Sequence, residues 1–345
     1  MKAVVFRRYG SPDVLELKEV ENPIPQIDEV LVRIHATSLN EWDDGALRGQ
    51  DVVNRLIFGL RAPKRGRQIL GSDIAGVVEA VGRNVTRFRP GDAVYGDLSG
   101  RWGGFAEYVC APEQALAPKP KSMSFEQAAA IPQAGLLAYQ ALRMMGPMQP
   151  GQTLLINGAG GGVGTFAIQL AKLHGVVVSA VDSTGKLDLL RELGAAQVHD
   201  YAREDFTQAG QRYDFILDVK TLRSVLACTR ALKPGGTYVT VGGSMARLFQ
   251  ALLLWPWIAL VQRKKIRVLA LKANQGLEAL NELFEAGKLV PVIDRCFGLE
   301  ETVEAFRFFR DGRHKGKVVM RLVTADGAVP AARLNQATAN TTLGK

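Results

Sequence analysis

The chain has 345 residues, with 47% hydrophobic and 22% charged side chains, a length that suits about two domains. That balance excludes a mainly disordered or collagen-like protein, and the three widely separated cysteines, Cys110, Cys228 and Cys296, exclude a disulfide framework or a Cys-rich zinc site. The net charge of +9 favours anionic partners (phosphates, nucleic acid or an acidic membrane surface) without choosing among them.

The opening MKAVVFRRYG reads as a short strand and a turn. It holds no apolar signal-peptide core, so a cytoplasmic location is expected. Residues 1–35 alternate apolar and polar side chains around Pro23 and Pro25. GSDIAGVVEAVG, RPGDAVYG and GGFAEYVCAP continue as short β segments bounded by Gly or Pro. Between Arg55 and Arg67 lie five basic residues and no acidic one, which reads as a solvated loop or as an electrostatic rim at a site entrance.

The pattern changes near Ser122. SFEQAAAIPQAGLLAYQALRMM is helical, TLLING is a buried strand, and strands then alternate with amphipathic helices through IRVLALK. Such alternation predicts a parallel sheet with helices on both faces, the α/β class. Leu248 to Val261 is the most apolar stretch. It is interrupted by Pro256, flanked by Arg247 and by Arg263, Lys264 and Lys265, and shorter than the ~20 residues of a spanning helix. A buried helix pair, a dimer surface or a substrate-pocket wall is expected there; the alternative is an interfacial segment on anionic lipid. The polar residues 323–345 are expected to be a disordered tail.

The strongest local signal is LLINGAGGGVGTFAIQLAK. A buried strand runs into Gly158-Ala159-Gly160-Gly161-Gly162-Val163-Gly164, and a helix follows from about Thr165. Glycines let a backbone turn tightly and approach a pyrophosphate, whose charge sits against the helix amides. Gly161, Gly162, Val163 and Gly164 are therefore predicted to hold a dinucleotide. The next strand ends at Asp182, placed to accept ribose hydroxyls, which favours NAD(H). Ser183, Thr184 and Lys186 follow at once and suit a 2′-phosphate. A solvated turn is the alternative for Asp182.

With these residues in hand, the chain resembles the medium-chain dehydrogenase/reductase superfamily, in its zinc-independent quinone oxidoreductase (zeta-crystallin-like) branch, near the reticulon-interacting oxidoreductases. The blocks that carry the resemblance are MKAVVFRRYGSPDVLEL, ATSLNEWDDGALRG, GSDIAGVVEAVGRNVTRFRPGDAVYG, GGFAEYVCAPE, AAAIPQAGLLAYQAL, NGAGGGVG, ALKPGGTYVTVGG and HKGKVVM, in the family order from Met1 to about Leu322. The resemblance implies a GroES-like β domain over 1–122, completed by 288–322, and an inserted Rossmann domain over 123–287. The cofactor would lie between them, and the protein would be a homodimer.

It also implies roles. Asn40 would be the key pocket residue, near the nicotinamide ribose or the substrate carbonyl, with Asp43 on the same loop as its catalytic companion. Val241, Gly242 and Gly243 would lie along the nicotinamide, Lys272 to Asn274 would close the cleft, and Tyr201 would approach the adenosine phosphate. Lys317 falls in a cofactor-contact region, a surface role being equally open. Zinc-dependent relatives place Cys and His where this chain has Asn40 and Ser72-Asp73; tetrahedral zinc needs thiolate or imidazole donors, so no zinc is expected. Without a Lewis acid, the electron-poor acceptors remain: quinones and α,β-unsaturated carbonyls. The tyrosine often found five residues after the Asn is Gly45 here, and the usual Thr before the A-Y pair is Leu137. Tyr108 and Tyr139 read as packed core, and Trp42 and Trp102 as pocket walls or simple packing.

The expected function is thus an NADP(H)-dependent reductase of a small electrophilic substrate, NAD(H) being the alternative cofactor. An NAD(P)-binding sensor or membrane-associated partner with weak catalysis is the second reading, and an alcohol dehydrogenase the third. No recognition helix or aromatic-basic RNA motif appears, which argues against a nucleic-acid role.

Overall fold

The computed structural model describes residues 1–242 and 245–322. Gly243 and the tail 323–345 lie outside the described residues. The chain opens with an antiparallel hairpin of β1 (Lys2–Phe6) and β2 (Leu15–Glu19). β3 (Glu29–Ser38) follows, and then two helices, α1 (Glu41–Arg48) and α2 (Val52–Phe58). β4 (Asp73–Val81), β5 (Ala93–Asp97), β6 (Tyr108–Pro112) and β7 (Ala117–Pro118) complete this part of the chain. Ser124 accepts a hydrogen bond from Gln127 N and caps α3 (Phe125–Ala130), which packs on β3 and β4. Pro132 then starts α4 (Pro132–Met145). One long helix was expected here; proline fits the first turn of a second helix, where its missing N–H has no partner to lose.

β8 (Thr153–Asn157), α5 (Gly162–Lys172), β9 (Val177–Asp182), α6 (Leu187–Glu192), β10 (Gln197–Asp200), β11 (Tyr213–Asp218), α7 (Val225–Arg230) and β12 (Leu232–Thr240) give the expected alternation. α8 (Met245–Val261), β13 (Lys265–Val268), α9 (Leu277–Glu285), β14 (Ile293–Gly298), α10 (Thr302–Arg310) and β15 (Lys317–Arg321) end the described chain. The sheet β10-β9-β8-β11-β12-β13 is parallel throughout. Its order reverses at β8, where doubly wound sheets bind ligands beyond the strand ends. The other sheet runs β14-β15-β3-β4-β5-β7, with β6 also on β3. Its last two members in sequence, β14 and β15, return from the far end of the chain and set Val319 opposite Ser38.

Two expectations are corrected. The ATSLNEWDDGALRG segment contains a helix, α1, because Asn40 and Asp43 form a capping pair at its start. The segment 248–261 is not a buried pair of helices broken at Pro256: α8 runs continuously through that proline. Pro256 faces solvent, so the carbonyl it leaves unpaired one turn back can reach water, which lowers the cost of an interior proline. Among the described residues of α8, Ala251 and Ile258 are buried and pack on Val225, Tyr238 and Ile266.

Candidate functional site

The site is built from the floor upward. β3 ends at Ser38, and two residues later Asn40 starts α1. The Asp43 carboxylate accepts from Asn40 N at 3.0 Å and from Gly71 N at 3.0 Å, so it holds the helix start against the loop before β4. Asn40 Nδ2 donates to Asp73 Oδ2 at 3.0 Å and to Ser72 Oγ at 3.3 Å. Its Oδ1 accepts from Lys317 Nζ at 2.6 Å, and that ammonium also donates to Leu39 O at 3.1 Å and lies 3.4 Å from Asp73 Oδ2. Asp73 Oδ1 accepts from Gln133 N at 3.0 Å, in the first turn of α4. Asn40 is thus fixed in orientation by bonds to both ends of its amide, drawn from β4, the loop before it and β15.

Three carboxylates, Asp43, Asp73 and Asp97, are fully buried here around Lys317. Asp97 stands opposite Asp73 across β4 and β5. Burial, added to by the charge of Asp73, pushes Asp43 and Asp97 each up to about 7. Burial pushes Lys317 down, opposed by Asp73 and Asp43. An acid whose pKa is raised in the fold binds more protons folded than unfolded between the two values. Stability from Asp43 and Asp97 is therefore full near pH 4 and falls as pH rises to about 7. Asp97 Oδ2 has no partner among the described residues, whereas Oδ1 accepts from Ser99 N and Oγ at 2.8 and 2.6 Å. An amide at position 97 keeps the Ser99 bonds and puts no second charge opposite Asp73. Asp97→Asn is expected to stabilise the protein by about 1–3 kcal/mol more at pH 8 than at pH 5. Urea unfolding at the two pH values measures this; equal effects at both would contradict the assignment.

The glycine loop forms one wall. Gly158 N and Ala159 N donate to Val181 O at 3.0 and 3.1 Å, and Gly160 N to Asp182 Oδ2 at 2.7 Å. A Cβ on Gly164 would stand 2.4 Å from the Ala159 Cα, so this glycine brings α5 close to the strand end. A Cβ on Gly161 would meet nothing nearer than 3.8 Å. That open ground lies at the positive end of an 11-residue helix, where an anion is favoured.

Between floor and wall is a cleft of about 380 Å³. The predicted residues Asn40, Gly161, Gly162, Val163, Val241 and Gly242 all line it, with Leu137 as an apolar wall. Others do not. Asp43 lies behind Asn40, and Gly164 is in the packing of α5. Asp182 is buried rather than a solvated turn residue; it accepts from Gly160 N and from Ser183 N at 2.8 Å, with Lys186 Nζ 3.5 Å away. Tyr201 is exposed and only its N–H touches Asp182 O. Asn274 is turned to the main chain of Asp97, accepting from its N–H at 2.8 Å and donating to its carbonyl at 2.9 Å. Trp102 is buried against Phe58 and edge-on to Trp42, and neither indole lines the cleft. None of the five basic residues from Arg55 to Arg67 lines it either; Arg67 lies over the Trp102 ring.

Among the cleft residues missed or left open by sequence reading are Lys317, His314, Lys220, Glu41, Arg48 and Gln133. Lys220 Nζ and Glu41 Oε1 pair at 2.7 Å across the cleft. His314 stacks on Phe309 with ring centroids 4.6 Å apart, and its Nδ1 has no partner among the described residues. Burial, with the charges of Lys186 and Lys220, pushes it down to about 4, so the ring is neutral at pH 7. An unpartnered ring nitrogen, two nearby ammonium groups and a bare helix start fit a diphosphate-bearing ligand. Among the described residues no group of three or more His, Cys, Asp or Glu could hold a metal ion.

Residues 26–121 match the family model of the alcohol dehydrogenase GroES-like domain, and residues 193–320 that of the zinc-binding dehydrogenases. The chain is 34% identical to a 2-methylene-furan-3-one reductase of Solanum lycopersicum, over 93% of this chain and 79% of that one. It is 33% identical to the mitochondrial NAD(P)H oxidoreductase RTN4IP1 of Mus musculus, over 94% and 89%. The solved quinone oxidoreductase from Coxiella burnetii superposes with a TM-score of 0.82 at 31% identity, covering 93% of this chain and 99% of that one. Fold, glycine loop and relatives together show that the chain belongs to the quinone oxidoreductase branch of the medium-chain dehydrogenase/reductase superfamily.

Proposed function

We propose that this protein is a zinc-independent, NADPH-dependent reductase of quinones or α,β-unsaturated carbonyls. The observation that carries the reading is the floor of the cleft. Asn40 and Ser72, which by resemblance stand at ligand positions of the zinc enzymes, are hydrogen-bonded to each other, and Asn40 is locked onto Asp73 and Lys317. An amide, a hydroxyl and an ammonium make a poor metal set and a rigid platform.

A reduced nicotinamide dinucleotide in the cleft supplies the hydride. The chain supplies the rest. Gly161 and the start of α5 receive the diphosphate, and Val241 with Gly242 flanks the ring. Asn40 is held by Lys317 to present its carboxamide from a fixed position, and Leu137, Ala134 and Val219 keep the pocket apolar. With Gly45 in place of a tyrosine, the proton comes from solvent. Lys186 sits against Asp182 and offsets its charge, which supports NADPH, with Ser183 and Lys186 toward the 2′-phosphate; NADH with Asp182 on the ribose is the alternative. The reading places residues 1–122 and 288–322 in the GroES-like domain and 123–287 in the Rossmann domain. It makes the protein a cytoplasmic homodimer with a peripheral membrane contact through 248–261.

Asn40→Ala is expected to lower kcat for a small quinone at least tenfold while leaving the thermal midpoint within a few degrees. Steady-state kinetics with melting curves check this, and full activity in the variant removes Asn40 from the site. Lys186→Ala is expected to erase a preference for NADPH over NADH, read from the two dissociation constants.

A further inference from the structure

α8 is the feature the reductase reading does not absorb. Among its described residues the buried stripe is Ala251 and Ile258, with Leu254 half-buried. Large apolar side chains of the helix are open to solvent: Phe249, Leu252, Trp255, Trp257, Leu253 at 77% and Leu260 at 84% exposure. Scattered exposed apolar residues need no explanation, but a contiguous set this dense on one helix marks an interaction surface. The helix has 17 residues, and no helix among the described residues is long and apolar enough to cross a membrane.

The charges that flank it in sequence have one sign. No acidic residue lies between Asp218 and Glu278. Directly after α8 come Arg263, Lys264, Lys265 and Arg267, and three of them are exposed; Lys264 is tied to Thr229 O at 2.6 Å. An apolar helix face with two tryptophans and a basic border is the composition that lies in the headgroup region of an anionic bilayer. A second copy of the chain is a worse fit. A two-fold contact sets the same patch against itself, and here that brings basic border against basic border.

We propose that α8 is an interfacial anchor that seats this protein on an anionic membrane and brings the cleft to a quinone dissolved there. The inference rests on the reductase reading for its second half. The link is short in sequence: Val241 and Gly242, just after β12, line the cleft, and α8 begins at Met245. An acceptor too apolar to travel through water would then enter beside the helix that touches its solvent.

The test uses the full chain with bound cofactor and vesicles made of equal parts phosphatidylcholine and phosphatidylglycerol, with pure phosphatidylcholine vesicles as the neutral comparison. The double variant Leu253→Gln, Leu260→Gln changes two exposed side chains outside the cleft. The wild type is expected to cosediment with the anionic vesicles and to be released by high salt. Binding should drop at least tenfold for the variant and for neutral vesicles. Turnover of a polyprenyl benzoquinone embedded in the anionic vesicles should fall by the same factor in the variant, while turnover of a water-soluble benzoquinone stays equal. Equal binding by wild type and variant, or equal binding to both vesicle types, overturns the anchor. So does an absence of binding together with a smaller particle mass for the variant by light scattering, which would make α8 a contact between copies. Turnover of the soluble quinone without vesicle binding overturns the anchor and leaves the reductase standing. Vesicle binding without any quinone turnover does the reverse.

Discussion

Replacing Lys317 with methionine is expected to destabilise the protein by about 3–5 kcal/mol, the usual cost of removing one partner from a buried ionic cluster. Asp43, Asp73 and Asp97 converge on this ammonium out of reach of solvent. Asn40 Oδ1 and Leu39 O lose their donor in the same step. The loss is expected to grow with pH, because Asp43 and Asp97 release their protons only near pH 7 and the variant has no cation to meet the new charge. Urea unfolding at pH 6 and pH 8 reads both parts. A variant within about 1 kcal/mol of wild type at pH 8 would show that the cluster is solvated and that Lys317 is dispensable.

The second large effect separates two glycines of one loop. Gly161→Ala is expected to fold normally and bind cofactor at least tenfold more weakly, a loss of about 1.4 kcal/mol or more. Its φ of −86° suits alanine, and the added methyl meets only open space on the protein side. That space is the approach of a phosphate to the amides of α5. Gly164→Ala is expected to fail earlier. Its methyl would lie 2.4 Å from the Ala159 Cα and 2.4 Å from the Ala159 carbonyl oxygen. Backbone cannot rotate away as a side-chain tip can, so α5 must move off the sheet at a cost of about 1–3 kcal/mol or more. Melting curves and fluorescence titration with NADPH distinguish the pair. Matching behaviour of the two variants would contradict the division of roles.

The legible parts of this protein were those coded by neighbours in sequence. β8, the glycine loop and α5 follow one another within about twenty residues, so strand, turn and helix could be read with their purpose. The alternation of strands and helices after Ser122 was legible for the same reason. Residues read from the family resemblance fared unevenly: Asn40, Val241 and Gly242 reach the cleft, and Asn274 is spent on the backbone of Asp97. The cluster beneath the cleft was not legible. Lys317 meets Asn40 across 277 positions, a pairing fixed by the register of β15 on β3 that leaves no periodic trace. A lysine in a basic stretch reads as surface, since buried lysines are rare. His314 was hidden for the same reason, its burial resting on a stack with Phe309 and the return of β15. α8 misled in another way: a proline in an apolar run signals a break, and its position on the open side of the helix lowers that penalty.

The most direct test of the central claim is acceptor-dependent oxidation of NADPH, with NADH in parallel, using a small benzoquinone with and without EDTA. The expected result is quinone-dependent oxidation that EDTA leaves unchanged and that runs faster with NADPH. Oxidation abolished by EDTA, or tight binding of both cofactors with no transfer to quinones or enones, would contradict it.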